Sequence, residues 1–445
     1  MIEDIIKERK KKLENFLKAG IDPYPEKSKR THKISEALNG FLLLSKARKK
    51  IFICGRIFGM RVMGNIAFYD LRDESGKIQG VLRKDNLKNE FALFKDNLDI
   101  GDFIEVGGIL FKTKTGEKSV EIKNLRLLVK SLRPLPSQWH GLKEVEERYR
   151  KRYLDIFLNP DVKETINKRS EIIQNIRKDL LMVGFNEVET PMLQALPGGA
   201  LARPFITHHN ALDVDFYLRI APELYLKRLL VAGFEKIFEI GKVFRNEGID
   251  RDHNPEFTML ELYWAYQDWE GLMKFTEKLL KKFIGGTWSK IKYEEAIKKY
   301  AGKNLKDMKI EEIDEIFKKE VRPKIIKPTF ITHYPKSISP LAKSCSDNPA
   351  LTERFQLIVD GMEIVNGFSE LNDPNDQRAR MEEQERNYRK GDAESSRLDE
   401  DFLEALDYGM PPAAGLGIGI DRLVSLITKK HNIKEVIIFP TLRPK

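Results

Sequence analysis

Between residues 238 and 266 the string FEIGKVFRNEGIDRDHNPEFTMLELYWAY sets a polar loop between two runs of strand character, with Arg245 and Glu247 where the outgoing strand ends. On the return strand a period of two puts Phe257, Met259, Glu261 and Tyr263 on one face. A ring able to stack a base and a carboxylate able to grip a cation then share a surface. In the plain reading, Phe257 and Met259 are core and Glu261 is matched by an Arg or Lys of the protein. Either way a carboxylate between Met259 and Tyr263 needs a cation if it is buried, because an unpaired charge out of water is costly or neutralises itself.

A second group lies in GMEIVNGFSELNDP, residues 361 to 374. Here Asn366, Phe368 and Glu370 alternate onto one face, and Glu363 falls on the other unless a bulge shifts it. Hard oxygens suit Mg²⁺, which is commonly held by one or two carboxylates plus substrate phosphates, so Glu363 is a candidate ligand, its plain alternative being a solvated strand glutamate. A third is GLGIGIDRLVSLIT: Gly415, Gly417 and Gly419 stand directly before Asp421-Arg422 and an apolar helix. Missing side chains let a ligand lie against the strand, and the Arg422 fork can meet phosphate oxygens at the junction. Neither common nucleotide loop is present. Gly116-Glu117-Lys118-Ser119 lacks the spacing of a P-loop, and Ile420 occupies the place of a dinucleotide fingerprint's third glycine.

The elements that must hold these residues can be read from periodicity. Residues 2 to 18 form a lysine-rich amphipathic helix with a stripe of Ile5, Leu13, Phe16 and Leu17, stopped by Gly20 and Pro23, either a docked surface helix or a nucleic-acid contact. From 49 to 130 five short runs of period two, separated by turns at 74–76 and 115–116, suit a small barrel of OB type, a fold that binds oligonucleotides on an open strand face. Phe68 or Tyr69, on opposite sides of one strand, could be a stacking platform there or simply core. Arg133-Pro134-Leu135-Pro136 breaks the chain, and 144–157 reads as one helix. This gives residues 1–133 as the barrel domain, 134–158 as linker and helix, and 159–445 as the domain that carries the chemistry. That last domain opens with a helix of period 3.6 from Val162 to Val183, ended by Gly184. Strands are expected at 215–221, 236–245, 256–267, 355–370 and 415–420, with helices at 222–234, 268–283 and 421–430. Without regular βαβ alternation, the fold class is α+β with a largely antiparallel sheet flanked by helices.

Length and composition agree. A chain of 445 residues, 41% hydrophobic and 33% charged, can bury two or more cores, and its net charge of +10 favours a polyanionic partner. Cys54 and Cys345 form no CxxC pair, which excludes a disulfide framework and a cysteine zinc site and fits a reducing, cytoplasmic setting. No apolar leader or membrane span is read.

FRNEG…HNPEFTMLELY resembles motif 2 of the class II aminoacyl-tRNA synthetases, GLGIGIDRLV resembles motif 3, and GFNEVETPML resembles motif 1 with its closing Pro191. More narrowly, PGGALARPFITHHNALDVDFYLRIAPELYLKRLL and NGFSELNDPNDQ are similar to the class II lysyl-tRNA synthetase family, over about residues 3 to 444 and including the N-terminal OB-fold. The resemblance implies an ATP-dependent ligase that activates L-lysine as an adenylate and transfers it to the 3′ end of tRNA(Lys), with Mg²⁺ as cofactor, a homodimer built on the motif 1 helix, and no membrane partner. It implies that Arg245 holds the amino-acid carboxylate and α-phosphate and that Arg422 meets the γ-phosphate. Phe257 would stack on adenine, and Glu247, His253 and Asn254 would place ATP, with Glu363 at the metal. By the same resemblance Glu223, Glu261, Tyr263, Asn366, Phe368 and Glu370 form the lysine pocket, and Gly199 meets the α-amino group. Glu223 is also an ordinary helix-start residue after Pro222. Arg61, Phe68, Gln79 and Glu117 match anticodon-reading positions, which favours Phe68 as the platform.

One position departs from the family pattern. Where the family reads R-F-E, this chain has Arg354-Phe355-Gln356, so a glutamate expected to help hold Mg²⁺ is an amide. Competing readings are an aspartyl or asparaginyl enzyme, whose pocket would want a cation at Glu261 and Glu370, a lysine ligase acting on protein, whose branch lacks the OB-fold, and a catalytically silent RNA-binding paralogue. The stretch from 285 to 330 has few landmarks and reads as a shortened insertion.

Overall fold

Alternating apolar residues in the first half of the chain close on themselves. Strands β1 (Ile51–Met63), β2 (Ile66–Arg72), β3 (Lys77–Arg83), β4 (Phe103–Lys112) and β5 (Lys118–Val129) form a closed barrel in the order β1-β2-β3-β5-β4. Ile51, Ile53, Ile57, Tyr69 and Leu71 point inward with Val106, Ile122 and Leu127. These coordinates are a computed structural model that describes residues 2–136, 142, 144–305, 310–392, 395 and 397–444. The chain divides into two units, Met1–Gly141 and Leu142–Lys445.

The helix Ile2–Lys18 belongs to the first unit, but its expected stripe is only partly used. Phe16 is fully buried, whereas Ile5 and Leu17 are exposed. Arg9 does the docking instead, donating to the carbonyls of Ile100, Ser131 and Arg133 at 2.9 to 3.1 Å. The planar guanidinium fork reaches carbonyls on two separate segments at once, which satisfies its donors as it is buried.

Residues 137–141 and 143 of the expected linker lie outside the described residues. The helix expected at 144–157 is two helices, Val145–Arg150 and Arg152–Leu158, because Lys151 leaves helical geometry at φ −103° and ψ 45°. Both belong to the second unit, where buried Arg152 pairs with Asp155 and donates to the carbonyl of Glu435.

After β6 (Asn186–Glu187) comes a small sheet of β7 (Leu193–Gln194), β8 (Ile206–His209) and β9 (Val214–Leu218). Then follow β10 (Lys236–Phe244), β11 (Glu256–Ala265), β12 (Ser289–Lys292), β13 (Thr329–Pro335), β14 (Leu351–Val359), β15 (Met362–Ser369) and β16 (Ala413–Gly419). With β6 they make one sheet in the order β12-β13-β14-β15-β16-β11-β10-β6, parallel only at β6/β10 and β12/β13. The single strand expected at 355–370 is therefore a hairpin. Its turn is Asp360-Gly361, both with positive φ (49° and 71°), the geometry Asp-Gly adopts most readily.

The expected helices are Glu223–Val231, Trp269–Leu280 and Ile420–Ile427, and the stretch after 285 has a small core of its own around Tyr293, Phe317 and Val321. Helices Pro160–Met182, Trp269–Leu280 and Ile420–Ile427 lay Ile172, Ile176, Leu272, Leu279, Leu423 and Val424 into one core with Leu260, Leu262, Val365, Leu416 and Ile418 of the sheet. Those strand residues alternate with Glu261, Gly417 and Asn366, so the other face of the sheet is left for the site.

Candidate active site

Three adjacent strands set the site by register. Glu261 on β11 lies opposite Gly417 on β16, which lies opposite Asn366 on β15, and in the next row Tyr263, Gly415 and Phe368 align in the same way. A glycine strand thus runs as the floor of a trough between two banks of side chains. At Gly415 a Cβ would strike both Glu370 and the Tyr263 ring, so the trough exists only because that residue has none. Gly417 meets nothing closer than 3.7 Å and leaves open floor. The trough is part of a cavity of about 600 Å³ within the second unit.

Glu363 joins this face through a bulge. Leu357 pairs with Val365 and Ile358 with Glu363, so one residue, Ile364, is extra, and Glu363, Asn366 and Phe368 all line the cavity.

One end of the cavity is acidic and shielded from solvent. Glu261 is 5% exposed, and its one hydrogen-bonding side chain is Tyr263, whose hydroxyl donates to Oε2 at 3.0 Å; no cationic side chain pairs with it among the described residues. Burial, reinforced by the neighbouring Glu223 charge, pushes its pKa up to about 8. Glu223 opens the Glu223–Val231 helix, and Gly199, at φ +85°, packs so closely that a Cβ there would lie 2.8 Å from that of Glu223. Glu370 is 1% exposed, its carboxylate closing over the floor at Gly415 at the buried end of the trough, outside the residues that line the cavity. Burial raises its pKa to about 8 although Lys227 opposes the shift. Lys227, absent from the sequence reading, donates to Glu223 at 2.6 Å and stands 2.5 Å from Glu370 in an ion pair. Its signal was available in the sequence as a Glu-Lys pair at i,i+4.

At the other end of the cavity the Arg245 guanidinium stands 5.2 Å from the Phe257 ring centroid, with its Nε buried and without a hydrogen-bond partner among the described residues. Burial lowers its pKa, and the Arg422 charge adds to that. Arg422 donates to the carbonyl of Glu363 at 3.3 Å and to His253 Nε2 at 3.2 Å, which leaves the His253 proton on Nδ1, 2.9 Å from Asp250. Asp421 holds the start of the Ile420–Ile427 helix in place by accepting from the Thr258 amide at 2.7 Å and from Arg169. Asn254 donates to the carbonyl of Glu256 at 2.6 Å and keeps a buried Oδ1 without a partner among the described residues, while Glu247 is exposed at the rim.

Gln356 lies opposite Asn366 and its Oε1 accepts from the buried Tyr334 hydroxyl at 2.8 Å. One carboxylate, Glu363, and one amide oxygen therefore border this part of the cavity, a donor set that suits a Mg²⁺ carried mainly by phosphates. Arg354, named in the sequence only as part of the R-F-Q string, donates to Asn366 Oδ1 at 2.9 Å and fixes that amide. Nothing in its spacing signals the contact.

In the first unit Tyr69 is fully buried in the barrel, whereas Phe68 faces outward opposite Arg61, whose guanidinium is 5.7 Å from the ring centroid. Gln79 is on the same outer surface, accepting from the Ser119 hydroxyl at 3.1 Å, and Glu117 is exposed at the turn before β5.

Residues 144–443 match the family described as tRNA synthetases class II (D, K and N), and residues 51–128 match the OB-fold nucleic acid binding domain. The chain belongs to these class II tRNA synthetases. Within that class it is similar to proteins named lysine–tRNA ligase: 46% identical to that of Pelotomaculum thermopropionicum, over 100% of this chain and 96% of the relative. It is 47% identical to that of Carboxydothermus hydrogenoformans and 46% to that of Roseiflexus castenholzii, each over 100% of this chain and 99% of the relative.

Proposed function

We propose that this protein is a lysine–tRNA ligase and that the trough holds lysine beside ATP. One observation carries the reading: Glu261 is a buried carboxylate facing a cavity with no cationic side chain paired to it among the described residues, and a guest ammonium completes it. Tyr263 and Phe368 flank the alkyl stem, Glu223 and Gly199 meet the α-amino group, and Asn366 meets the carboxylate end. An aspartate substrate would bring a second carboxylate to Glu261 and leave two acceptors facing each other, and an asparagine amide would bring a donor but no positive charge.

Lysine carboxylate oxygen attacks the α-phosphorus of ATP, the bond to the β-phosphate breaks, and lysyl-adenylate and pyrophosphate result. Arg245 and Arg422 stabilise the charge that gathers on the phosphates, and Phe257 stacks on adenine while His253, Asn254 and Glu247 fix the nucleotide. A Mg²⁺ ion would be held by Glu363 and the Gln356 amide oxygen and would supply further charge neutralisation. A terminal ribose hydroxyl of tRNA(Lys) then attacks the adenylate carbonyl and AMP leaves, with no covalent enzyme intermediate. The barrel face of Arg61, Phe68, Gln79 and Glu117 reads the anticodon.

The domain scheme of barrel, linker and catalytic domain stands with this reading, as do a cytoplasmic location and a homodimer formed through the Pro160–Met182 helix. Exposed Leu181 and Met182 at that helix's end support the dimer. No described helix is long and apolar enough to cross a membrane. Pyrophosphate exchange into ATP that depends on lysine tests the reading. Folded protein that exchanges with aspartate or asparagine but not with lysine would refute it.

A further inference from the structure

A lysine ammonium with no solvent exposure lies behind the trough. Taking such a group out of water is costly unless carboxylates surround it, and here they come from two separate elements. Lys227 Nζ donates to Glu223 Oε1 at 2.6 Å, one helical turn back on its own helix, and pairs at 2.5 Å with Glu370 at the end of β15. The Phe368 ring centroid is 5.5 Å away on the side toward the trough. The remaining charged or titratable groups acting on this cluster among the described residues are Glu261 and Tyr263 on β11, with Arg354 acting on Glu223 from β14 and with Arg245, beyond the end of β10, and Glu239 on β10 acting on Glu261.

The charges can be counted. With all three ionised, the carboxylates of Glu223, Glu261 and Glu370 face one enclosed ammonium, Arg354 and Arg245 standing outside ion-pair contact, which leaves two negative charges without a contacting cation among the described residues. An amino acid with two ammonium groups supplies two. We infer that Lys227 is a positioning residue that sets the specificity of the pocket: it clamps Glu223 and Glu370 in place and cancels one charge, so that the site demands a doubly cationic amino acid. The inference rests on the lysine-activation reading above.

The test uses the full-length protein in pyrophosphate exchange, with KM for lysine and for ATP measured separately. In Lys227→Met the two clamped carboxylates lose their cation and one takes up a proton. The lysine KM should rise at least about 30-fold while the ATP KM stays within about twofold, since breaking one side of a buried pair exposes the other. Lysine kcat/KM should also depend more steeply on pH, because an added carboxyl titrates. Removing both partners in Lys227→Met with Glu370→Gln restores the count, and the lysine KM should recover at least about fivefold from the single variant. That double variant also covers the case in which the single one fails to fold. A lysine KM within about threefold of wild type in Lys227→Met, a parallel rise in the ATP KM, or a double variant no better than the single would each overturn the inference. Absence of lysine-dependent exchange in the wild type would instead remove the reading on which it rests.

Discussion

The molecule carries the same pair of side chains in two settings. On the barrel Arg61 lies over Phe68 at 5.7 Å on an outward, solvated face; in the cavity Arg245 lies over Phe257 at 5.2 Å with its Nε buried. Geometry alone would make them equivalent. Their surroundings do not, since burial lowers the Arg245 pKa. A solvated arginine over a ring contributes under about 1 kcal/mol and is weakened by salt, whereas a desolvated one acts through a low dielectric on whatever charge enters beside it. The barrel is built to sample a flexible polyanion, and the cavity is built around charges left waiting for a partner.

Replacing Glu261, which no cationic side chain contacts among the described residues, should separate the two regions most clearly. Glu261→Gln is expected to reduce lysine kcat/KM in exchange by about 100-fold with ATP KM nearly unchanged, because one buried charge pair is lost. Equal losses for both substrates would dissolve the distinction between the two ends of the cavity.

The next effect concerns protons. With its pKa near 8 rather than 4.5, the Glu261 carboxyl holds a proton in the folded protein that the unfolded chain has already released. Stability should therefore fall as pH rises from about 4.5 to 8, by up to about 1.4 kcal/mol per pH unit from this group. Saturating lysine should flatten that fall, because the guest ammonium favours the ionised form. Thermal melting across this range with and without lysine is the measurement, and identical slopes would mean that Glu261 does not meet the ligand.

Phe68→Ala is expected to lower tRNA charging by about tenfold, the worth of one stacked base, and to leave exchange unchanged. A barrel variant that slowed exchange would break the division of labour. The smallest effect is expected one residue further on. The Tyr69 hydroxyl is buried with no hydrogen-bond partner among the described residues, so Tyr69→Phe should change stability by less than about 1 kcal/mol, toward greater stability, and leave both activities alone. A loss of charging there would move the binding face to the other side of the strand.

Period-two alternation made the trough legible wherever strands were regular. Phe257, Met259, Glu261 and Tyr263 on β11, and Asn366 with Phe368 on β15, share the cavity as their spacing requires. Where a local irregularity intervened, the pattern could not say which way it went. Glu363 reaches the site only through the extra residue at Ile364, a slip that costs nothing visible in the sequence. The hairpin at Asp360-Gly361 was written plainly, as a strong two-residue turn signal, yet the strand-like residues on both sides of it hid it. Pair contacts across elements, such as Arg354 with Asn366 or Arg9 with three carbonyls, have no periodicity to betray them. Glu370 was placed on the binding face by alternation, but an internal ammonium claims it, and only the packing of two elements against each other reveals that.

The slip at Ile364 has a further consequence. In the proposed function, residues after it meet the amino acid and Glu363 just before it meets the nucleotide's metal, so a single strand would address two substrates through a change of phase. Inserting one residue between Leu357 and Ile358, so that Ile364 gains a partner, would restore regular pleating and turn Glu363 to the opposite side while leaving Asn366 and Phe368 where they are. The sheet would be more regular, and the two reactants would no longer be served by one ribbon of chain.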